Sequence, residues 1–183
     1  LAVGQRVVSY DIGGSRLRRS GSPVTRTESR RYSGRLATVA CDGRATRMTA
    51  DHHVVVKMGA GNDGRHVVYL MRRNGAFRVG RVPWRYATQN GIWGPGQRAA
   101  QEGADALWVL GVYDTQEDAA HHDAILSARY GVPMLCFRPS ASHAIDVDRF
   151  WDAFGPESAV AAKALLDDMG LLADHPLWGQ GQR

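Results

Sequence analysis

Trp84, Arg85, Tyr86 and Trp93 interleave aromatic rings with a guanidinium in "PWRYATQNGIW", just after Gly80 and Arg81. Guanidiniums neutralise phosphates and flat rings stack on sugars or bases, so this stretch is a candidate DNA-contacting loop. The two Trp rings can equally cap the edge of a small sheet, and residue type leaves both readings open. Arg98 and Glu102 stand one helical turn apart in "GPGQRAAQEG", a spacing that can form an ion pair worth about a few tenths of a kcal/mol. Upstream, Thr49 and His52 make a T-x-x-H pattern between two strand-like runs. That pattern offers a hydroxyl and an imidazole, or an ordinary strand-turn pair.

The charge is distributed unevenly. Residues 1–100 hold 17 Arg and 1 Lys against 5 acids, a net of +13, and residues 101–183 hold 4 Arg and 1 Lys against 13 acids, a net of −8. A basic half of this size suits a phosphate backbone, because each neutralised phosphate releases counterions. A solvated surface enriched in Arg by coding-DNA composition explains the same numbers. No apolar run approaches the roughly 20 residues that span a bilayer, and "LAVGQRVVSYD" lacks a basic region followed by a long apolar stretch. The expectation is a soluble, cytoplasmic chain with no membrane partner. Cys41 and Cys136 lack CxxC spacing and read as two buried free thiols in a reducing compartment, not as a zinc site.

The elements that must position these residues fall into two styles. Residues 6–12, 34–41, 45–48 and 53–58 are short, rich in Val and Thr, and separated by turn-like "GG", "DG" and "SGSP", which predicts an all-β unit over 1–60. The glycine-rich "GAGNDGR" at 59–65 marks a boundary. Beyond it, strands 66–71 and 76–82 flank Asn74-Gly75, a hairpin turn signal. A short helix from Pro95 to Glu102, a buried strand over 105–113 and a helix punctuated by Thr115, Asp118, Gly131 and Pro133 complete a hairpin, helix, strand, helix unit over 66–137. Residues 138–183 read as a helical extension, with a helix from about Pro156 to Gly170, and a tail, "LLADHPLWGQGQR", with no evident partner. The fold class is α+β.

"VGQRVVSYD" followed by "RTESRRYSGRLATVACDGRATRMTADH" resembles the amino-terminal part of the Hint fold of inteins, where a T-x-x-H motif lies between β-strands. The resemblance implies that His52 donates to a scissile amide and Thr49 fixes its carbonyl, polarising the peptide bond. His53 falls on the other side of the strand as surface or packing. Inteins of this kind carry a nucleophilic Cys or Ser before the first segment and end in His-Asn. The chain shows neither, so the expectation is an internal piece, not splicing-competent as given, embedded in a host protein.

Inteins often carry a homing endonuclease between their splicing halves, and residues 66–137 resemble the GIY-YIG nucleases. "VVY" at 67–69 stands where the family has GIY, "RVG" at 78–80 where it has YIG, and Arg98 follows on a helix. "DAAHHDAILSARYG" stands where the family has the helix with its metal-binding Glu, and Asp123, Leu126, Ser127 and Tyr130 match that frame. The resemblance implies hydrolysis of double-stranded DNA with one Mg²⁺: Tyr69 assists water deprotonation, Asp123 holds the metal, and Arg98 stabilises the phosphorane-like charge. Gly80 would let the phosphate approach closely, with Arg81, Arg85, Trp84 and Trp93 along the DNA. Two departures stand out: Arg78, a candidate catalytic residue, replaces the second motif's Tyr, and Asp123 is shorter than Glu. The alternative is a catalytically decayed DNA-binding or scaffold domain. On their own residues, Tyr69 reads as a core aromatic, Asp123 as a solvated helix acid, and His121 and His122 as partly exposed.

Overall fold

A computed structural model describes residues 1–10, 17–41, 43–50, 52, 61, 63–88, 91–138 and 145–179. The chain is mixed α+β, with small antiparallel sheets and three helices among the described residues. None of these helices is long and apolar enough to cross a membrane. The chain divides into two compact units, Leu1–Lys57 and Met58–Gln180.

The first unit consists of two hairpins among its described residues. β1 (Arg6–Tyr10) pairs antiparallel with β2 (Leu17–Pro23), with a bulge between Val7 and Ser9. Gly21 sits opposite that bulge at φ +67°, where an added Cβ would lie 2.6 Å from the Val7 carbonyl oxygen. Only glycine fits there. β2 absorbs "SGSP", which its composition marked as a turn; Ser22 and Pro23 instead pair with Val7 and Arg6. β3 (Leu36–Cys41) pairs in even register with β4 (Arg44–Thr49), from Leu36 opposite Thr49 to Cys41 opposite Arg44. The strand expected at 53–58 and His53 lie outside the described residues.

The second unit holds every buried apolar side chain described, from Val67 to Leu166. β5 (His66–Arg73) is central in a four-stranded antiparallel sheet of order β10-β9-β5-β6. β6 (Ala76–Pro83) follows the Asn74-Gly75 turn, where both residues have positive φ, 50° and 83°, as the two-residue hairpin turn demands. The Trp- and Gly-rich connection forms a small hairpin of its own, β7 (Tyr86–Thr88) with β8 (Gly91–Trp93). α1 (Pro95–Glu102) starts with Pro in its first turn and stops at left-handed Gly103. β9 (Ala106–Tyr113) returns beside β5.

α2 (Gln116–Tyr130) is capped by Thr115, whose Oγ1 accepts from the Asp118 N–H at 3.0 Å, and ends at Gly131, φ +73°. α3 spans Val147–Asp168, starting nine residues before Pro156, which lies inside the helix. Its start is set by Asp146, whose side chain accepts from the Arg149 N–H, a cap that outweighs the preference of Pro for a first turn. The tail has a partner after all: β10 (Trp178–Gly179) pairs with Leu107 and Ala106 of β9, and the Trp108 indole donates to the Leu172 carbonyl at 3.1 Å.

Alternation along β5 sends Val67, Tyr69 and Met71 to one face, packed with Ala99 of α1, Leu107 and Phe137. Val68 and Leu70 go to the other, packed with Ala119 of α2 and Ala162, Leu165 and Leu166 of α3. Each face is thereby closed by helix. The outer edge of β6 is covered too: the Val79 N–H donates to the Pro133 carbonyl at 2.9 Å and the Phe77 N–H to Ser158 Oγ at 2.8 Å. An edge strand with its donors taken does not recruit another strand.

Candidate functional site

The register of the first hairpin in the second unit decides which polar groups meet. Tyr69 lies directly opposite Gly80, and Met71 opposite Arg78, so Tyr69, Arg78 and Gly80 share the face covered by α1. On α1, Arg98 and Glu102 lie one turn apart, and the buried side of that helix, Ala99 with Glu102, carries the carboxylate into the interior. The result is a polar cluster inside an apolar core.

Glu102, fully buried, is its centre. One carboxylate oxygen accepts from Arg78 Nη1 at 2.9 Å and from Arg98 Nε at 2.7 Å; the other accepts from the Phe137 backbone N–H at 2.9 Å. Arg78, 4 % exposed, also donates to the Tyr69 hydroxyl at 2.9 Å and to the Met134 carbonyl at 3.0 Å. Arg98 donates to Cys136 Sγ at 3.1 Å and to Gln101. Two guanidiniums against one carboxylate leave one positive charge, and it opens outward through Arg98, whose side chain is 27 % exposed. Burial raises the Tyr69 hydroxyl above the usual tyrosine range, although the neighbouring Arg78 charge pulls it down. A phenol held that way is a hydrogen-bonding group and a poor base.

Gly80 has a different use from the one its motif implied. A Cβ there would lie 2.6 Å from Arg78 Nη2 and 2.8 Å from the Tyr69 hydroxyl. The space that glycine frees is filled by the protein's own guanidinium and phenol, not left open for a phosphate.

Asp123 stands elsewhere. It is buried on α2 at 1 % exposure, so it is not a solvated helix acid, and its Oδ2 accepts from Arg81 Nη1 at 3.0 Å. Arg81 lies opposite Val68, on the face away from Tyr69 and Arg78. The other Asp123 oxygen, Oδ1, is buried with no hydrogen-bond partner. Burial raises its carboxyl above the ordinary range, opposed by the Arg81 bond and charge and then by Arg78. The Asp123 carboxylate as placed does not fit Mg²⁺: the Arg81 guanidinium already occupies one of its oxygens and sets a positive charge against an incoming cation.

In the connection, Trp84 packs against the core around Tyr69, and its backbone N–H donates to the Arg65 carbonyl at 2.7 Å. Arg85 lies 3.9 Å from Asp63, and Tyr86 is exposed. The Trp93 backbone pairs with Tyr86, and its side chain lies outside the described residues. His121 and His122 are exposed, with His122 stacked on Tyr113. In the first unit, Thr49 ends β4, and its carbonyl accepts from the N–H of exposed His52 at 3.1 Å, so the T-x-x-H pattern forms a turn. Cys136 is free and half-buried beside Arg98; the Cys41 side chain is outside the described residues.

The structure thus unites Tyr69, Arg78, Gly80 and Arg98 and separates Asp123 from them. Glu102, the hub, reads in the sequence only as a helical partner for Arg98; the signal for more is its place on the Ala99 side of an otherwise polar helix. Comparison of the chain with protein-family models, with curated proteins and with solved structures found no match.

Proposed function

We propose that the chain belongs to an intein, with a Hint-like unit followed by a domain built on the GIY-YIG nuclease frame that binds double-stranded DNA through its phosphates without cutting it. The intein reading rests on the sequence resemblance of the first unit. For the second unit, one observation carries the reading: the Arg78–Glu102–Arg98 cluster holds one positive charge in excess, and Arg98 is the member that reaches the surface, held from within by the buried carboxylate. This is a phosphate contact fixed before its ligand arrives. Cleavage needs a metal-holding carboxylate near that contact, and Asp123 is instead committed to Arg81 on the other face.

The test has two arms. Binding of a short labelled duplex is measured against salt, and Arg98→Ala is expected to lower affinity and reduce the slope of log K against log salt by about 0.9, the loss of one phosphate contact. Supercoiled plasmid carrying intein-free insertion sites is then incubated with Mg²⁺ or EDTA, and no nicking is expected. Absence of binding at low salt refutes the DNA-binding reading. Mg²⁺-dependent nicking lost in Asp123→Ala replaces it with an active homing endonuclease.

A further inference from the structure

We infer that Asp123 is a positioning residue that holds Arg81 as a second DNA-phosphate anchor, in the way that Glu102 holds Arg98. The inference rests on the DNA-binding reading above and extends it to a second residue pair. The two pairs share a geometry, although Glu102 serves two arginines and Asp123 only one. Arg81 donates to Asp123 at 3.0 Å with side-chain exposures of 36 % and 2 %; Arg98 donates to Glu102 at 2.7 Å with exposures of 27 % and 0 %. In each, a carboxylate on a helix is shut away from water and a guanidinium reaches the surface from it.

The chemistry of that arrangement is specific. A buried carboxylate cannot swing, so the planar guanidinium bonded to it loses its freedom before binding, and its remaining N–H donors point in fixed directions. An exposed arginine without such a hold must be ordered by the phosphate itself. β6 is the outer strand of its sheet, and Arg81 lies beyond the stretch whose edge is covered at Phe77 and Val79. Arg81 and Arg98 belong to opposite faces, so they meet different phosphates and their contributions are separable.

The experiment is binding of a short labelled duplex of mixed sequence in EDTA, between about 50 and 200 mM salt. The proteins are the native chain, Arg81→Ala, Asp123→Asn, the double variant of these two, and Arg81→Ala with Arg98→Ala. Losing one phosphate contact should flatten the salt slope by about 0.9, so that the native protein loses about 3.5-fold more affinity than Arg81→Ala across that range. Arg81→Ala and Arg98→Ala should add. Asp123→Asn should weaken binding even though it removes a negative charge, and should have no further effect in the Arg81→Ala background. Stronger or unchanged binding by Asp123→Asn, or equal weakening in both backgrounds, overturns the inference while leaving DNA binding intact. An effect seen only with added Mg²⁺ overturns it in favour of a metal ligand. Should Asp123→Asn not fold, Arg81→Lys serves instead: it keeps the cation against Asp123 but loses the fork, and undiminished affinity overturns the inference. No binding by the native chain fails the underlying reading itself.

Discussion

Replacing Glu102 by Gln keeps shape and removes one charge, which makes it the sharpest probe of the polar cluster. Glu102 receives two guanidiniums on one oxygen and the Phe137 N–H on the other. A glutamine oxygen can still accept from the arginines, but its amide nitrogen must then face the Phe137 N–H, donor against donor; flipped, it faces both guanidiniums. Either way Arg78, 4 % exposed, keeps its charge without a buried counter-ion. Stranding one partner of a buried ion pair costs about 3–5 kcal/mol, and for a unit of this size that corresponds to a fall in Tm of roughly 10–20 °C. All five Trp residues lie between 84 and 178, so urea unfolding followed by Trp fluorescence reports the second unit selectively. Gln101→Ala, which removes only the exposed bond to Arg98 at 3.2 Å, is the control and should stay within about 0.5 kcal/mol. A Glu102→Gln protein within about 1 kcal/mol of the native chain would refute the hub.

Gly80→Ala should lower stability by about 1–3 kcal/mol, because its methyl group would meet Arg78 Nη2 at 2.6 Å and the Tyr69 hydroxyl at 2.8 Å; an unchanged urea midpoint would show that the space is open. Asp123 titrates above ordinary aspartates, chiefly through burial, against the opposing Arg81 and Arg78 of β6. A folded pKa raised above the unfolded value gives stability that is complete in acid and lost as pH rises through the folded pKa. As pH rises through that raised pKa, the native chain should therefore lose ground to Asp123→Asn; an NMR titration placing the Asp123 carboxyl at or below ordinary aspartates refutes this.

Local signals carried the scaffold of the second unit well. Asn74-Gly75 set the hairpin, Pro95 and Gly103 bounded α1, and Thr115 and Gly131 bounded α2, because each depends on backbone geometry within a few residues. What stayed hidden depends on pairing at a distance. "SGSP" became strand because β1 pairs with it, and the tail found β9 across some seventy residues. The site divides on the same line. Tyr69, Arg78 and Gly80 are joined by the hairpin register, which motif spacing expresses directly. Asp123 had the right frame on α2, but a frame does not say which strand residue meets the carboxylate, and Arg81 is one position removed from Gly80, on the opposite face.

That one-residue difference in register also bears on why the cluster exists. Buried ion pairs are poor sources of stability: an apolar set of similar volume in place of Arg78 and Glu102 would be neutral or better by about 1–4 kcal/mol. Folding alone therefore does not account for a buried carboxylate shared by two arginines. The cluster does accomplish one thing that an apolar core cannot, which is to bond the Arg98 guanidinium from within while the three groups together keep one positive charge. Asp123 and Arg81 repeat the anchoring geometry, without the surplus charge, on the other face of the same strand, and leave a carboxylate oxygen without a partner. Two independent instances of a partly exposed arginine anchored on a dry carboxylate, one on each face beside a single edge strand, account for these buried charges more fully than packing does.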